Sequence, residues 1–280
     1  MSISLRSLIA ALGTAASVLL GSQVVNAQET YSFGVVPQFT ANQIMSTWQP
    51  ILTELEERTG YKFSLTGSPK IPDFEVSFSH GAFDFAYMNP YHFLLAANQQ
   101  GYLPLVRDHG RQLFGILVVP KASDIQDISE LHGKQIAYPA PNALGASLMM
   151  RAILEREHGV VAEPKYVSTH TNSYMAAAAG DTAAGGGVMG TLNRQSNGLR
   201  NALRVLYETP KVPPHPVAAH PRIPEEVREK VRQAFLDMAQ TEEGQAMLAA
   251  VPFKQIGAAT PSEYQVLKQY SLEDFYVSVR

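Results

Sequence analysis

The stretch Phe83-Asp84-Phe85-Ala86-Tyr87-Met88-Asn89-Pro90-Tyr91-His92 decides how the chain is read. Phe83 to Tyr87 is a short run of large side chains that reads as a buried strand, and Pro90 opens a helix through Gln99, because a first-turn residue has no use for its N–H. Upstream, Tyr31 to Val36 reads as a strand. Thr40 caps a helix that carries Trp48, Ile51, Leu52 and Leu55 at helical spacing. Tyr61 to Leu65 returns as a strand after the Thr59-Gly60 stop, and Asp73 to Phe78 suggests a short helix. The order is βαβαβα, which predicts a mostly parallel sheet covered on both faces.

Downstream, the apolar strand Leu113 to Val119, closed by Pro120, starts a second unit. Within it Lys134–Tyr138, Lys165–Ser168 and Arg204–Tyr207 read as strands, and Ala143–His158 and Ser173–Ala179 as helices, with Ala176–Ala179 as tight helix packing. The run from Gly185 to Gly190 takes the backbone where a side chain would obstruct it. A proline-rich return, Pro210 to Pro221, precedes three amphipathic segments around 224–239, 241–250 and 261–270. The expected architecture is α/β, with two lobes, two hinge crossings and a cleft between them. Residues 28–113 with 218–280 form lobe 1, and 114–217 form lobe 2 with hinge strands at both ends.

At the N-terminus, Arg6, the apolar run Leu8 to Gly21 and the small residues of Val25-Asn26-Ala27 read as a signal peptide, 1–27, cleaved before Gln28. The run is shorter than the ~20 residues of a spanning helix. The chain has no cysteine. That excludes disulfides, thiolate metal sites, a cysteine nucleophile and a lipoprotein anchor, and leaves a soluble periplasmic protein. With 22 Lys plus Arg against 25 Asp plus Glu, a net charge of −3, the balance argues against a nucleic-acid partner.

In open α/β sheets ligands sit beyond the carboxyl ends of strands, near helix starts whose N–H groups favour anions. Three loops fit that position: Pro37-Gln38-Phe39-Thr40, Tyr87 to His92, and Pro139 to Gly145. Thr169-His170-Thr171-Asn172-Ser173 is a fourth polar segment just before a helix. Asn89, Tyr91 and His92 compete for one cleft-facing place, the others capping the helix or lying at the surface. His215 and His220 lack a third metal ligand and read as a solvated hinge edge, so no metal is expected. The chain lacks G-x-S-x-G, H-E-x-x-H and the P-loop, and no catalytic residue or cofactor is assigned.

The order of Gly34-Val35-Val36-Pro37, Trp48-Gln49-Pro50, Phe83 to Tyr87, Phe114 to Lys121, Leu131-His132-Gly133-Lys134, Pro141-Asn142 and Thr169-His170-Thr171-Asn172 resembles the periplasmic phosphonate-binding proteins of ABC transporters, a group that includes phosphite and phosphate binders. The resemblance implies a solute-binding protein for a phosphonate-like or other small oxyanion, working with an inner-membrane permease. A sensor that partners a histidine kinase is the alternative reading, and an enzyme a lesser one. The protein is expected to be a monomer.

The resemblance also implies that Tyr87 and His170 hold the ligand's oxygens. The family's hydroxyl-rich helix opening appears here as Asn142-Ala143-Leu144-Gly145, without its hydroxyls. Charge-assisted donors are worth ~1.5–3 kcal/mol each, so the loss of two costs about two to four decades of affinity unless other loops compensate. The candidate ligand-binding residues are therefore Gln38, Phe39, Thr40, Tyr87, Asn89, Asn142, Ala143, Leu144, Gly145, His170 and Asn172. Aminoalkyl-phosphonate binders place acidic groups near the stretch corresponding to Gly185–Gly190. Here the nearest acid is Asp181, which disfavours an amine-bearing ligand.

Overall fold

The computed structural model describes residues 30–251 and 253–278; the expected signal peptide lies outside the described residues. Strand β1 (Thr30–Val35) leads to α1 (Ala41–Thr59), opened by a capping box in which Thr40 and Gln43 bond each other's backbone N–H. β2 (Lys62–Thr66), α2 (Ile71–Ser79), β3 (Phe85–Tyr87) and α3 (Pro90–Gln100) follow in the expected order. Next comes β4 (Leu103–Asp108), whose Pro104 and charged end hide it in the sequence.

β5 (Gly115–Pro120), β6 (Gln135–Tyr138), α4 (Met149–His158), β7 (Glu163–Tyr166), α5 (His170–Ala179), β8 (Ala184–Val188), α6 (Met189–Leu192), α7 (Asn197–Asn201) and β9 (Leu203–Glu208) make the second unit. The chain then returns through β10 (Val217–Ala219), α8 (Glu225–Met238), α9 (Glu242–Ala250) and β11 (Ile256–Ala258) to a 3-10 helix, Pro261–Tyr270.

Two sheets result, β11-β4-β10-β3-β1-β2 and β7-β6-β8-β5-β9. The expectation of a mostly parallel sheet is corrected: both are mixed. β1 runs parallel to β2 and β3, but β10 is antiparallel to β3 and β4, and β5 is antiparallel to β8 and β9. The first strand after each crossing, β5 in one sheet and β10 in the other, enters reversed, and β11 adds a further antiparallel pair with β4. At the crossing the two passages are tied together, the N–H of Leu113 donating to Val212 O at 2.8 Å and that of Val212 to Leu113 O at 2.9 Å.

The cores follow strand periodicity. Leu117 and Val119 of β5 pack on one face with Ile136 and Met150, and Ile116 and Val118 on the other with Tyr174. In the first lobe Phe33, Trp48, Phe74, Phe83 and Phe85 fill the interior between sheet and helices. The last residues bridge the lobes. Arg156 of α4 donates to the carbonyls of Tyr270 and Ser271 and pairs with Asp274, while Tyr276 packs on Tyr91 of α3 with ring centroids 5.9 Å apart.

β8 is where small residues set the geometry. A Cβ on Gly186 would stand 2.1 Å from the carbonyl oxygen of Ala146, and one on Gly187 would stand 2.0 Å from the Tyr174 hydroxyl. This close approach presses the start of the α4 helix, which opens with a π-helical turn over Leu144–Leu148, onto the sheet. Gly186→Ala is expected to destabilise the protein by about 1–3 kcal/mol, since the obstacle is backbone and cannot rotate away. Urea unfolding measures it; an unchanged midpoint would refute the close approach.

Candidate ligand-binding cleft

Because β1 and β3 lie side by side in parallel, Val35 aligned with Tyr87, their carboxyl ends open onto one level at the seam between lobes. There the structure holds two adjoining cavities. The larger, about 780 Å³ with its open mouth, is bounded by the β1–α1 loop, α1, the first crossing, the end of β8 and α6. The smaller, about 310 Å³, lies deeper against the π-helical turn and α5. Val36, Gln38, Leu113, Val188 and His215 line both.

Tyr87 lines the larger cavity and is nearly buried. Its ring packs on Trp48, with centroids 4.9 Å apart, and stacks on His215, 5.2 Å apart with the planes 25° from parallel. Burial pushes the phenol's pKa up, and the charges of Arg111 and Arg194 oppose that shift. Arg111 is steered by Asp108, which accepts its Nε at 3.0 Å and three backbone N–H groups, from Gly110, Lys254 and Gln255. Arg194, from the other lobe, reaches over the Phe39 ring at 5.1 Å and donates to Ala250 O at 2.8 Å. No carboxylate lines either cavity among the described residues.

Buried His215 contributes an Nε2 that has no hydrogen-bond partner. Burial first, and the Arg111 charge second, hold its pKa well below the ordinary histidine value, so it is neutral at pH 7. In the smaller cavity, His170 is held with its Nδ1 3.2 Å from Thr191 Oγ1, and burial lowers its pKa to about 4. Leu144 fills the position at the helix start with a fully apolar side chain, 2% exposed.

A family signature described as the periplasmic substrate-binding protein of a phosphonate ABC transporter matches residues 33–264. The chain belongs to that family. A Pseudomonas aeruginosa structure described as a binding protein component of an ABC phosphonate transporter is similar at a TM-score of 0.80 and 15% identity, over 89% of this chain and 88% of that one. A Prochlorococcus marinus protein solved in complex with methylphosphonate also gives 0.80, at 12% identity, over 89% and 99%. A Xanthomonas citri protein bound to ATP gives 0.73, at 13% identity, over 88% and 98%. No curated protein sequence matches the chain. Among the described residues no helix is long and apolar enough to cross a membrane.

Of the residues singled out in this phosphonate-binding family member, Gln38, Phe39 and Tyr87 line the larger cavity, and Gln38, Asn89, Ala143, Leu144, Gly145 and His170 the smaller. Three lie outside both linings. Thr40 is engaged as the cap of α1. Asn172 is exposed and its amide donates to Val167 O at 2.8 Å. Asn142 is buried, donating to Glu75 Oε2 at 2.9 Å and to Val277 O at 2.8 Å and accepting from Val277 N–H at 3.0 Å, so it ties the lobes and the C-terminal segment together. Asn89 is also committed, its Oδ1 capping α3 through the N–H groups of Tyr91 and His92.

His92 is buried against Glu75 at 2.8 Å rather than facing the cleft. The reading of His215 as a solvated edge is corrected, because it is enclosed by Tyr87 and the second crossing. The sequence reading passed over Arg111, Arg194, Gln43 and Gln112. The signal for Arg194 was the basic residue just beyond the glycine run, where acidic groups were sought and none was found.

Two outcomes test this arrangement. Asn142→Ala leaves Glu75 Oε2 without its amide donor and is expected to cost about 1–3 kcal/mol in chemical unfolding; a neutral result would refute the tie. Unfolded histidine takes up its proton near pH 6.5, whereas folded His170 does so only near 4. Between those values the unfolded state binds more protons, so stability falls on acidification. His170→Asn should remove about 2 kcal/mol of the loss between pH 7.5 and 5, read as the difference in pH slope between the two proteins.

Proposed function

We propose that the protein captures a small oxyanion in this cleft in the periplasm and presents its closed, loaded form to the permease of an ABC importer. The observation that carries the reading is a cavity between lobes that faces Arg111, Arg194, Tyr87 and an unpartnered His215 Nε2 with no carboxylate in its lining. Guanidinium groups present forked donors to oxyanions, and a low-dielectric wall strengthens them. The family description, which names an ABC transporter, favours transport over the histidine-kinase sensor.

Lobe 1 comprises 28–113 and 218–280, and lobe 2 114–217; they close about the tied passages at Leu113 and Val212. A ligand that touches both lobes binds the closed state better than the open one, and this difference is the whole of the driving force for closure. The protein acts as a monomer after removal of residues 1–27, without cofactor or metal, and releases its ligand chemically unchanged.

A thermal-shift panel of phosphate, phosphite, sulfate, methylphosphonate and larger organophosphonates tests this. At a hundredfold excess over Kd a binding anion should raise Tm by roughly 5–10 °C. Phosphorus NMR should then recover the bound phosphorus anion unaltered. Tyr87→Phe should weaken binding about tenfold by removing one hydroxyl donor. A panel with no shift, or a consumed ligand, would overturn the receptor reading.

A further inference from the structure

The cleft is more than a cage for a bare oxyanion. Its smaller cavity, beside the helix start, offers few side-chain donors: Ala143 and Leu144 stand where the family has hydroxyls, and the Asn89 amide donates to Asn142 O at 3.4 Å. The larger cavity holds the charged groups and opens at its mouth between the lobes.

Two kinds of wall meet in this space. Arg111, Arg194, Tyr87 and His215 all line this one cavity, Arg194 reaching in over the Phe39 ring from the other lobe. Arg111 also reaches across the cleft, since a Cβ on Gly190 of the other lobe would stand 3.5 Å from its Nη1. Beside these groups the lining carries apolar side chains from both lobes, Ile44 and Trp48 from α1, Phe114 from the first crossing, and Val188 and Met189 across the cleft, interspersed with Gln43, Thr47 and Gln112. The buried His215 Nε2, without a protein partner, leaves one hydrogen-bonding atom beside the cavity for a ligand atom or a water to satisfy.

We propose that the ligand is an amphiphilic organic oxyanion, a phosphonate or related acid bearing an aryl or branched-alkyl body. Its acid group sits between Arg111, Arg194, Tyr87 and His215, and its apolar body lies against Ile44, Trp48, Phe114 and Met189. The assignment rests on the oxyanion-receptor reading and adds the ligand's second half. It also moves the charged head from the helix start into the arginine-lined chamber, where guanidinium groups replace the missing hydroxyls. The same arginines repel an amine, so a zwitterionic aminoalkyl acid is disfavoured on charge as well as on the absence of a facing carboxylate.

Isothermal titration of the purified protein with phenylphosphonate and methylphosphonate tests it. Phenylphosphonate is expected to bind at least tenfold tighter. Arg194→Gln should weaken both probes at least tenfold, with Arg194→Lys partly restoring them. The pair Ile44→Ala and Met189→Ala should weaken phenylphosphonate at least threefold and leave methylphosphonate unchanged. Methylphosphonate binding as tightly as phenylphosphonate would overturn the amphiphilic class while the oxyanion receptor stands. Unchanged affinity in Arg194→Gln would overturn the placement of the acid. Heat from neither probe, in a protein whose calorimetric unfolding is cooperative, would overturn this inference; failure of the whole anion panel would overturn the receptor reading as well.

Discussion

The reciprocal backbone hydrogen bonds between Leu113 and Val212 are the constraint on which the rest of the molecule depends. They hold two chain passages side by side, and the first strand after each passage, β5 in one sheet and β10 in the other, lies antiparallel to both its neighbours. They also place the carboxyl ends of β1 and β3 opposite the start of α4 and the end of β8. The cleft is thus a by-product of topology: wherever two such sheets are joined twice, their loop ends face each other across a seam.

Within the seam, chemistry is divided by what the backbone has already claimed. Amides that look available in the sequence are spent on structure. Asn142 joins Glu75 to the C-terminal residues, and Asn89 caps α3. The groups left facing the cavity are those whose own partners leave capacity to spare. Asp108 fixes Arg111 through Nε alone, and four donors converge on that carboxylate, so the guanidinium keeps its other nitrogens for the cavity. A protein with a net charge of −3 can therefore present a cationic chamber, because local geometry and not the overall charge decides the potential inside a cleft.

Much of the fold was legible in the sequence because its elements announce themselves by periodicity and punctuation. Thr40 marks the start of α1, Pro90 that of α3, and the unbroken apolar run of β5 supplies two cores at once. The mixed sheet order was not legible, since strand direction depends on partners far away in the chain, and β10 has only three residues to advertise it. In the site, Tyr87 and His170 were reached through a motif. Arg111 and Arg194 were not, because an isolated arginine carries no local pattern and gains meaning only from what folding sets beside it. The glycine run was read correctly as a steric requirement, and the structure supplies its object, the Ala146 carbonyl and the Tyr174 ring.

The final residues give the molecule a third mechanical link. Tyr264 anchors their near end on Phe93 of α3, 4.9 Å between ring centroids, and Val277 anchors the far end on Asn142 beyond the seam. A door with two hinges swings freely; one with a chain across it opens only as far as the slack permits. Arg156 grips the segment in between at Tyr270, Ser271 and Asp274, so parting the lobes strains the turns between Tyr264 and Tyr270 or releases one of these contacts. The aperture through which a solute enters is therefore set by the length and grip of this tether as much as by the hinge itself.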